Sequence, residues 1–129
     1  MRPEMHAQQT TEIVKEALME GERDFILLNY ANGDLVGHTG DLKASITAME
    51  TVDSCIGELM EAVDSTDYAM IVTADHGNCE NLGSEKDPKT SHTLNPVPLM
   101  IFNSDVEPED GELWRVERLV EKFIFDGQA

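Results

Sequence analysis

The chain is short of cysteine, of basic residues and of long apolar runs, and each shortage closes off a class of protein. Two cysteines, Cys55 and Cys79, stand far apart among 129 residues. They make no CxxC pair and no disulfide framework, so a reducing compartment is expected. Cys55 falls on the apolar face of a predicted helix and is expected to pack there, while Cys79 reads as a neighbour of the candidate site rather than a ligand. Nine basic residues face 26 acidic ones, a net charge of −17 at pH 7. A chain this acidic repels nucleic-acid phosphates and anionic membrane, so neither is an expected partner. Solubility accounts for such an excess; carboxylates awaiting a cation are the sharper alternative. No apolar stretch reaches membrane-spanning length. The N-terminus carries no apolar signal segment, which points to the cytoplasm.

What the chain does have is concentrated chemistry. Three of its four histidines lie in three short segments: Asp34-Leu35-Val36-Gly37-His38, Asp75-His76-Gly77-Asn78 and Lys89-Thr90-Ser91-His92-Thr93. The first two follow apolar runs that read as β-strands. Carboxylate oxygen mixed with imidazole nitrogen suits Mn²⁺ or Zn²⁺ better than Ca²⁺, which prefers oxygen alone. His6 has no such context and reads as a surface residue.

The length suits one domain, residues 1–129, with a single core. Residues 10–20 read as an amphipathic helix with Ile13, Val14, Ala17 and Leu18 on one face and Gly21 as its stop. Residues 24–30, Asp-Phe-Ile-Leu-Leu-Asn-Tyr, read as a strand buried on both faces. A glycine-containing loop over 31–40 leads to the longest helical pattern, 41–64. Leu42, Ile46, Met49, Val52, Ile56, Leu59, Met60 and Val63 line its expected core face. Strands are expected at 68–73 and 96–102, joined by a polar loop over 77–95. A last helix over 112–125 would present Leu113, Val116, Leu119, Val120, Phe123 and Ile124.

Strands alternating with helices argue for an α/β fold with parallel pairing: a partial doubly wound parallel sheet with flanking helices. Ligands in such sheets gather at the carboxyl ends of strands, which would bring Asp34, His38, Asp75 and His76 to one rim. The adjacent Asp75 and His76 would point apart in an extended segment, and a turn at Gly77 would make them converge. With His92 from the loop, the five candidate ligands are too many for one tetrahedral ion and suit two ions with open positions. Taken singly, each residue has a plainer role. An Asp after a strand is often a helix cap or turn residue, and a lone His a satisfied polar group.

Three longer stretches carry a resemblance. Asn29-Tyr30-Ala31-Asn32-Gly33-Asp34-Leu35-Val36-Gly37-His38-Thr39-Gly40, then Thr73-Ala74-Asp75-His76-Gly77-Asn78, then Ser91-His92-Thr93, together resemble the cofactor-independent phosphoglycerate mutases of the alkaline phosphatase superfamily. Pro3-Glu4-Met5 also resembles that family's approach to this region, and the likeness runs to about Asn103. It implies an alkaline phosphatase-like fold and interconversion of 3-phosphoglycerate and 2-phosphoglycerate through a phosphoserine, with two Mn²⁺ ions. Asp34, His38 and His92 would hold the first ion, and Asp75 and His76 part of the second. Zn²⁺ fits the same donors.

The chain departs from the family at Gly33, where a proline is usual, and after Leu113, where Trp114-Arg115-Val116-Glu117 begins a divergent tail within 104–129. By resemblance it corresponds to the last quarter of the enzyme, the C-terminal part of the phosphatase domain. The family's nucleophilic serine and its substrate-gripping transferase domain would then lie elsewhere, so no catalytic nucleophile is assigned here. The expectation is that the chain alone has no mutase activity. The alternatives are a non-catalytic metal-binding or interaction module derived by truncation, and another metal-dependent phosphatase of the same superfamily. A sheet missing its neighbours would expose an apolar edge, so self-association through that edge is also expected.

Overall fold

A computed structural model of the chain describes residues 3–31, 41–77 and 96–125. The first helix, α1, spans Pro3–Glu20, seven residues longer at its start than the apolar periodicity implies. Proline suits a first helical turn because its fixed φ is already helical and its missing N–H would have no partner there. The extension also has a packing reason. Ala7 and Thr11 are buried together with Leu18, at helical spacing on one face. Two of those three are small, and an apolar count passes over them. Ile13, expected in the core, is 67% exposed instead. Gly21 ends the helix at φ 69°, its N–H donating to the Ala17 carbonyl at 3.3 Å, a left-handed cap that glycine adopts without penalty.

The second helix, α2, spans Leu42–Asp64. Asp41 caps it: its side chain accepts from the Ala44 N–H at 3.0 Å, which satisfies one of the four otherwise orphaned donors. α1 packs along α2. Ser45, Ala48, Cys55, Leu59, Ala62 and Val63 are the buried residues of α2. The expected face is therefore wrong over the first turns, where Leu42, Ile46 and Met49 are exposed, half-buried at Val52 and Ile56, and right from Leu59 onward. Small side chains let two helices approach closely, so the first half of α2 turns Ser45 and Ala48 inward and its larger residues out. Cys55 is packed as expected, fully buried as a free thiol.

Residues 24–30 form no ladder, and no backbone–backbone hydrogen bond joins them to another described residue. Their burial nevertheless alternates with the period of a strand. Ile26, Leu28 and Tyr30 pack against the core of Leu18, Leu59, Ala62 and Val63, while Phe25 and Leu27 are exposed. The expectation of burial on both faces is corrected to burial on one. The Tyr68 hydroxyl, donating to the Arg23 carbonyl at 2.5 Å, holds the start of the segment.

The sheet among the described residues has two strands, β1 (Met70–Thr73) and β2 (Leu99–Phe102). They pair antiparallel, Met70 opposite Phe102 and Thr73 opposite Leu99. Parallel pairing was the expectation and is corrected here. A parallel pair needs a crossover of a dozen or more residues, usually helical, and no helical pattern lies between these two strands in the sequence. Asn103, just after β2, adopts φ 59°, a left-handed conformation asparagine tolerates. From there its side-chain amide donates to the carbonyls of Val63 (3.1 Å), Thr66 (3.1 Å) and Tyr68 (2.7 Å). That one residue ties the end of β2 to the end of α2 and to the segment leading into β1.

The last helix, α3, spans Arg115–Phe125, close to expectation. It buries none of its residues. Trp114 precedes it, with the Arg118 guanidinium 4.8 Å and that of Arg115 5.5 Å from its ring centroid. No helix among the described residues is long and apolar enough to cross a membrane.

Candidate metal centre

β1 delivers the site. Its last residue, Thr73, donates its hydroxyl to the Pro98 carbonyl at 2.9 Å, which fixes the tip of β1 against the approach to β2. The chain then bends at Asp75 and His76. In that bend the two side chains converge, with His76 Nε2 3.5 Å from Asp75 Oδ1. The convergence was expected from a turn at Gly77. The structure bends at Asp75 and His76, immediately before Gly77.

His76 Nδ1 lies 3.2 Å from the Gly77 carbonyl oxygen. With Nδ1 protonated and donating there, Nε2 presents its lone pair beside the Asp75 carboxylate. A backbone carbonyl on one ring nitrogen, orienting the other, is the usual way a ligating imidazole is held. Asp75 is 81% exposed at its side chain and His76 26%, so the oxygen is open to solvent while the ring is partly sheltered. One hard oxygen and one borderline nitrogen on a common side fit the donor set expected for Mn²⁺ or Zn²⁺.

Asp34, His38, His92 and Cys79 lie outside the described residues. Among the described residues no group of three or more His, Cys, Asp or Glu side chains could hold an ion; Asp75 and His76 are the two sequence-predicted site residues that the structure brings together. The topology bears on the others through the segments that flank them. Because β1 and β2 are antiparallel, the end of β1 and the start of β2 lie at the same end of the hairpin, where Asp75 stands. In the sequence His92 is four residues short of Pro96. Residues 32–40, which include Asp34 and His38, run between Ala31 and the Asp41 cap of α2.

Tyr30, just before that loop, was read only as part of a strand. Its hydroxyl is 2.5 Å from Thr11 Oγ1, and Thr11 is fully buried. Burial raises the Tyr30 pKa above its ordinary 10.0, outweighing the Thr11 hydrogen bond, which lowers it; Cys55 and Glu58 add to the rise. The signal available in sequence was a threonine at helical spacing from Ala7 and Leu18.

Comparison with known proteins adds to this geometry. The family model described as the Metalloenzyme superfamily matches residues 1–124. A 2,3-bisphosphoglycerate-independent phosphoglycerate mutase of Syntrophotalea carbinolica is 46% identical over 106 residues, 81% of this chain and 21% of that protein. Proteins of the same name are 44% identical in Flavobacterium johnsoniae, over 88% of this chain and 23% of theirs, and 50% identical in Cereibacter sphaeroides, over 80% and 21%. The chain thus spans about a fifth of the length of the curated relatives it matches.

Proposed function

We propose that this chain, which belongs to the metalloenzyme superfamily, carries the metal-binding part of a phosphoglycerate mutase that interconverts 3-phosphoglycerate and 2-phosphoglycerate. The observation that carries the reading is the converged Asp75–His76 pair at the tip of β1, its imidazole oriented by the Gly77 carbonyl. It stands in a chain 44–50% identical over most of its length to proteins bearing that name. Asp34, His38 and His92 would hold one Mn²⁺, and Asp75 and His76 part of the shell of a second. Zn²⁺ is the alternative ion. When bound, paired ions of this kind clamp a phosphoryl oxygen and activate a nucleophile.

The chain's own contribution is placement. The bend after β1 aims Nε2 and Oδ1 together, and the carbonyl on Nδ1 keeps the ring from turning. A doubly wound sheet of the alkaline phosphatase kind, with β1 and β2 as an antiparallel pair within it, belongs to the same proposal. Its support is the family match together with the strand-like alternation of residues 24–30. The buried free thiol of Cys55 suits a reducing cytoplasm.

The test is Mn²⁺ titration of the purified chain beside His38→Ala and His76→Ala. The wild type is expected to bind Mn²⁺. His38→Ala should weaken the tighter site by about tenfold or more, the cost typical of losing a ligand or its support, and His76→Ala should affect only a weaker one. A wild-type chain that takes up no Mn²⁺ and no Zn²⁺ overturns the reading. Assayed alone, the 129-residue chain is expected to give no mutase turnover, because none of its serines matches the family's nucleophile; robust turnover would refute that.

A second reading, a metal-binding module that acts through association, draws on the exposed Phe25 and Leu27 beside an unladdered backbone. Its occupant would be a second copy, adding a strand to residues 24–30. A strictly monomeric species at micromolar concentration in sedimentation would rule it out.

A further inference from the structure

The chain's few basic residues are not spread evenly. Arg115, Arg118 and Lys122, three of nine in all, stand on the eleven-residue helix α3. Four side chains there form one exposed stripe: Trp114, Arg118, Lys122 and Phe125, spaced four, four and three residues apart. Such spacing keeps residues on one side of a helix. Trp114 stands just before the helix, and the Arg118 guanidinium, 4.8 Å from its ring centroid, shows that the two side chains lie together. A basic middle is thus flanked by an aromatic residue at each end.

α2 carries the complement, away from its buried residues. Ile46, Glu50, Asp53 and Gly57 are all exposed and are spaced four, three and four apart, again one side of a helix. Taken in the opposite direction, they match the α3 stripe position for position. Phe125 falls opposite Ile46, Lys122 opposite Glu50, Arg118 opposite Asp53 and Trp114 opposite Gly57. The two stripes have the same length, 114 to 125 and 46 to 57, roughly 16 Å at a helical rise. Glycine is unfavourable inside a helix, but here it leaves room for an indole. Apart from its neighbours in the helix, no atom among the described residues lies within 4 Å of where a Gly57 Cβ would stand.

Both stripes are exposed in the folded chain, so they do not cover each other within one copy; a second copy offers each its complement. We infer that α3 of one copy docks antiparallel on the Ile46–Gly57 face of α2 in another. Two basic side chains then meet two carboxylates, with an apolar contact at either end. Every copy has both stripes, so the exchange is reciprocal and its product is a two-fold dimer. Opposite charge at the contact offsets the repulsion between two chains of net charge −17. Exposed ion pairs are weak and are screened by salt, so the dimer is a salt-sensitive one. The contact is separate from the Asp75–His76 pair and from residues 24–30.

Sedimentation equilibrium of the full chain at high micromolar concentration reads the dimer. The wild type is expected to dimerise in about 0.01 M salt and to dissociate in about 1 M salt. Arg118→Glu with Lys122→Glu puts like charges across the contact, as does Glu50→Lys with Asp53→Lys. Each double variant alone is expected to dimerise at least roughly tenfold more weakly. Mixed in equal amounts, the two restore opposite charges at both contacts, and the dimer returns. Circular dichroism checks the helices of each variant; the single changes Lys122→Glu and Glu50→Lys repeat the comparison if a double variant loses helix. A wild type that stays monomeric at low salt overturns the inference. So does association that survives both charge reversals, the result expected of edge pairing through residues 24–30, and so does a mixture that stays monomeric.

Discussion

α3 and the first half of α2 make an instructive pair. α3 shows a clear amphipathic pattern, Val116, Leu119, Val120, Phe123 and Ile124, and it folds as a helix while burying none of its residues. The first half of α2 carries Leu42, Ile46 and Met49 at helical spacing and exposes all three, burying Ser45 and Ala48 instead. Periodicity forecasts both helices; on α3 the expected residues Val116, Leu119, Val120 and Phe123 are half-buried, while on the first half of α2 the burial is forecast wrongly. An apolar stripe reports that a helix can have a core face. What occupies that face depends on partners elsewhere in the chain, and two helices that meet through small residues need no stripe at all.

The largest way to sharpen this contrast is truncation in the region that does pack. Leu59→Ala is expected to cost about 2–5 kcal/mol, through lost transfer energy and a residual cavity, read by urea unfolding. A cost near zero would mean that the α1–α2 core is not the core. Asn103→Ala should cost about 1–2 kcal/mol, since alanine at a left-handed φ is strained and a shared donor is lost. The same measurement checks it, and a neutral result would detach the hairpin from the helices.

A smaller effect should appear only at alkaline pH. The Tyr30 pKa is raised in the fold, so its contribution is fully present below the ordinary value and fades as pH rises through the folded one. Wild type should therefore lose stability faster than Tyr30→Phe above about pH 10; parallel profiles would contradict the buried phenol. The smallest effect is expected for Phe125→Ala on α3, a residue 79% exposed, within about 0.5 kcal/mol, as for surface positions generally. A cost as large as that of Leu59→Ala would erase the contrast.

Legibility followed the same division. The stop at Gly21 and the packing of Cys55 were readable because each depends on a residue's own conformational or burial preference. The strands at β1 and β2 were placed within a few residues. Their antiparallel sense was not, although the missing crossover helix between them was the available clue. Residues 24–30 were read as apolar without regard to side, but their packing is alternate, a fact set by the core they lie on. Asp75 and His76 were singled out from residue type and expected to converge, and the structure brings their side chains together. Thr11 was invisible as a partner for Tyr30 because a lone hydroxyl on a helix has many fates and only tertiary contact chooses one.

The asparagine after β2 has a reach beyond its own bonds. Its three acceptors lie at the end of α2 and in the segment leading into β1, so it works as a pawl. Sliding β2 along β1 by one facing-preserving step of two residues would carry it about 6.6 Å and disengage every tooth at once. The strand tip that bears Asp75 is thereby indexed from the opposite end of the hairpin, and the height at which the carboxylate stands is decided by a residue that never comes near it.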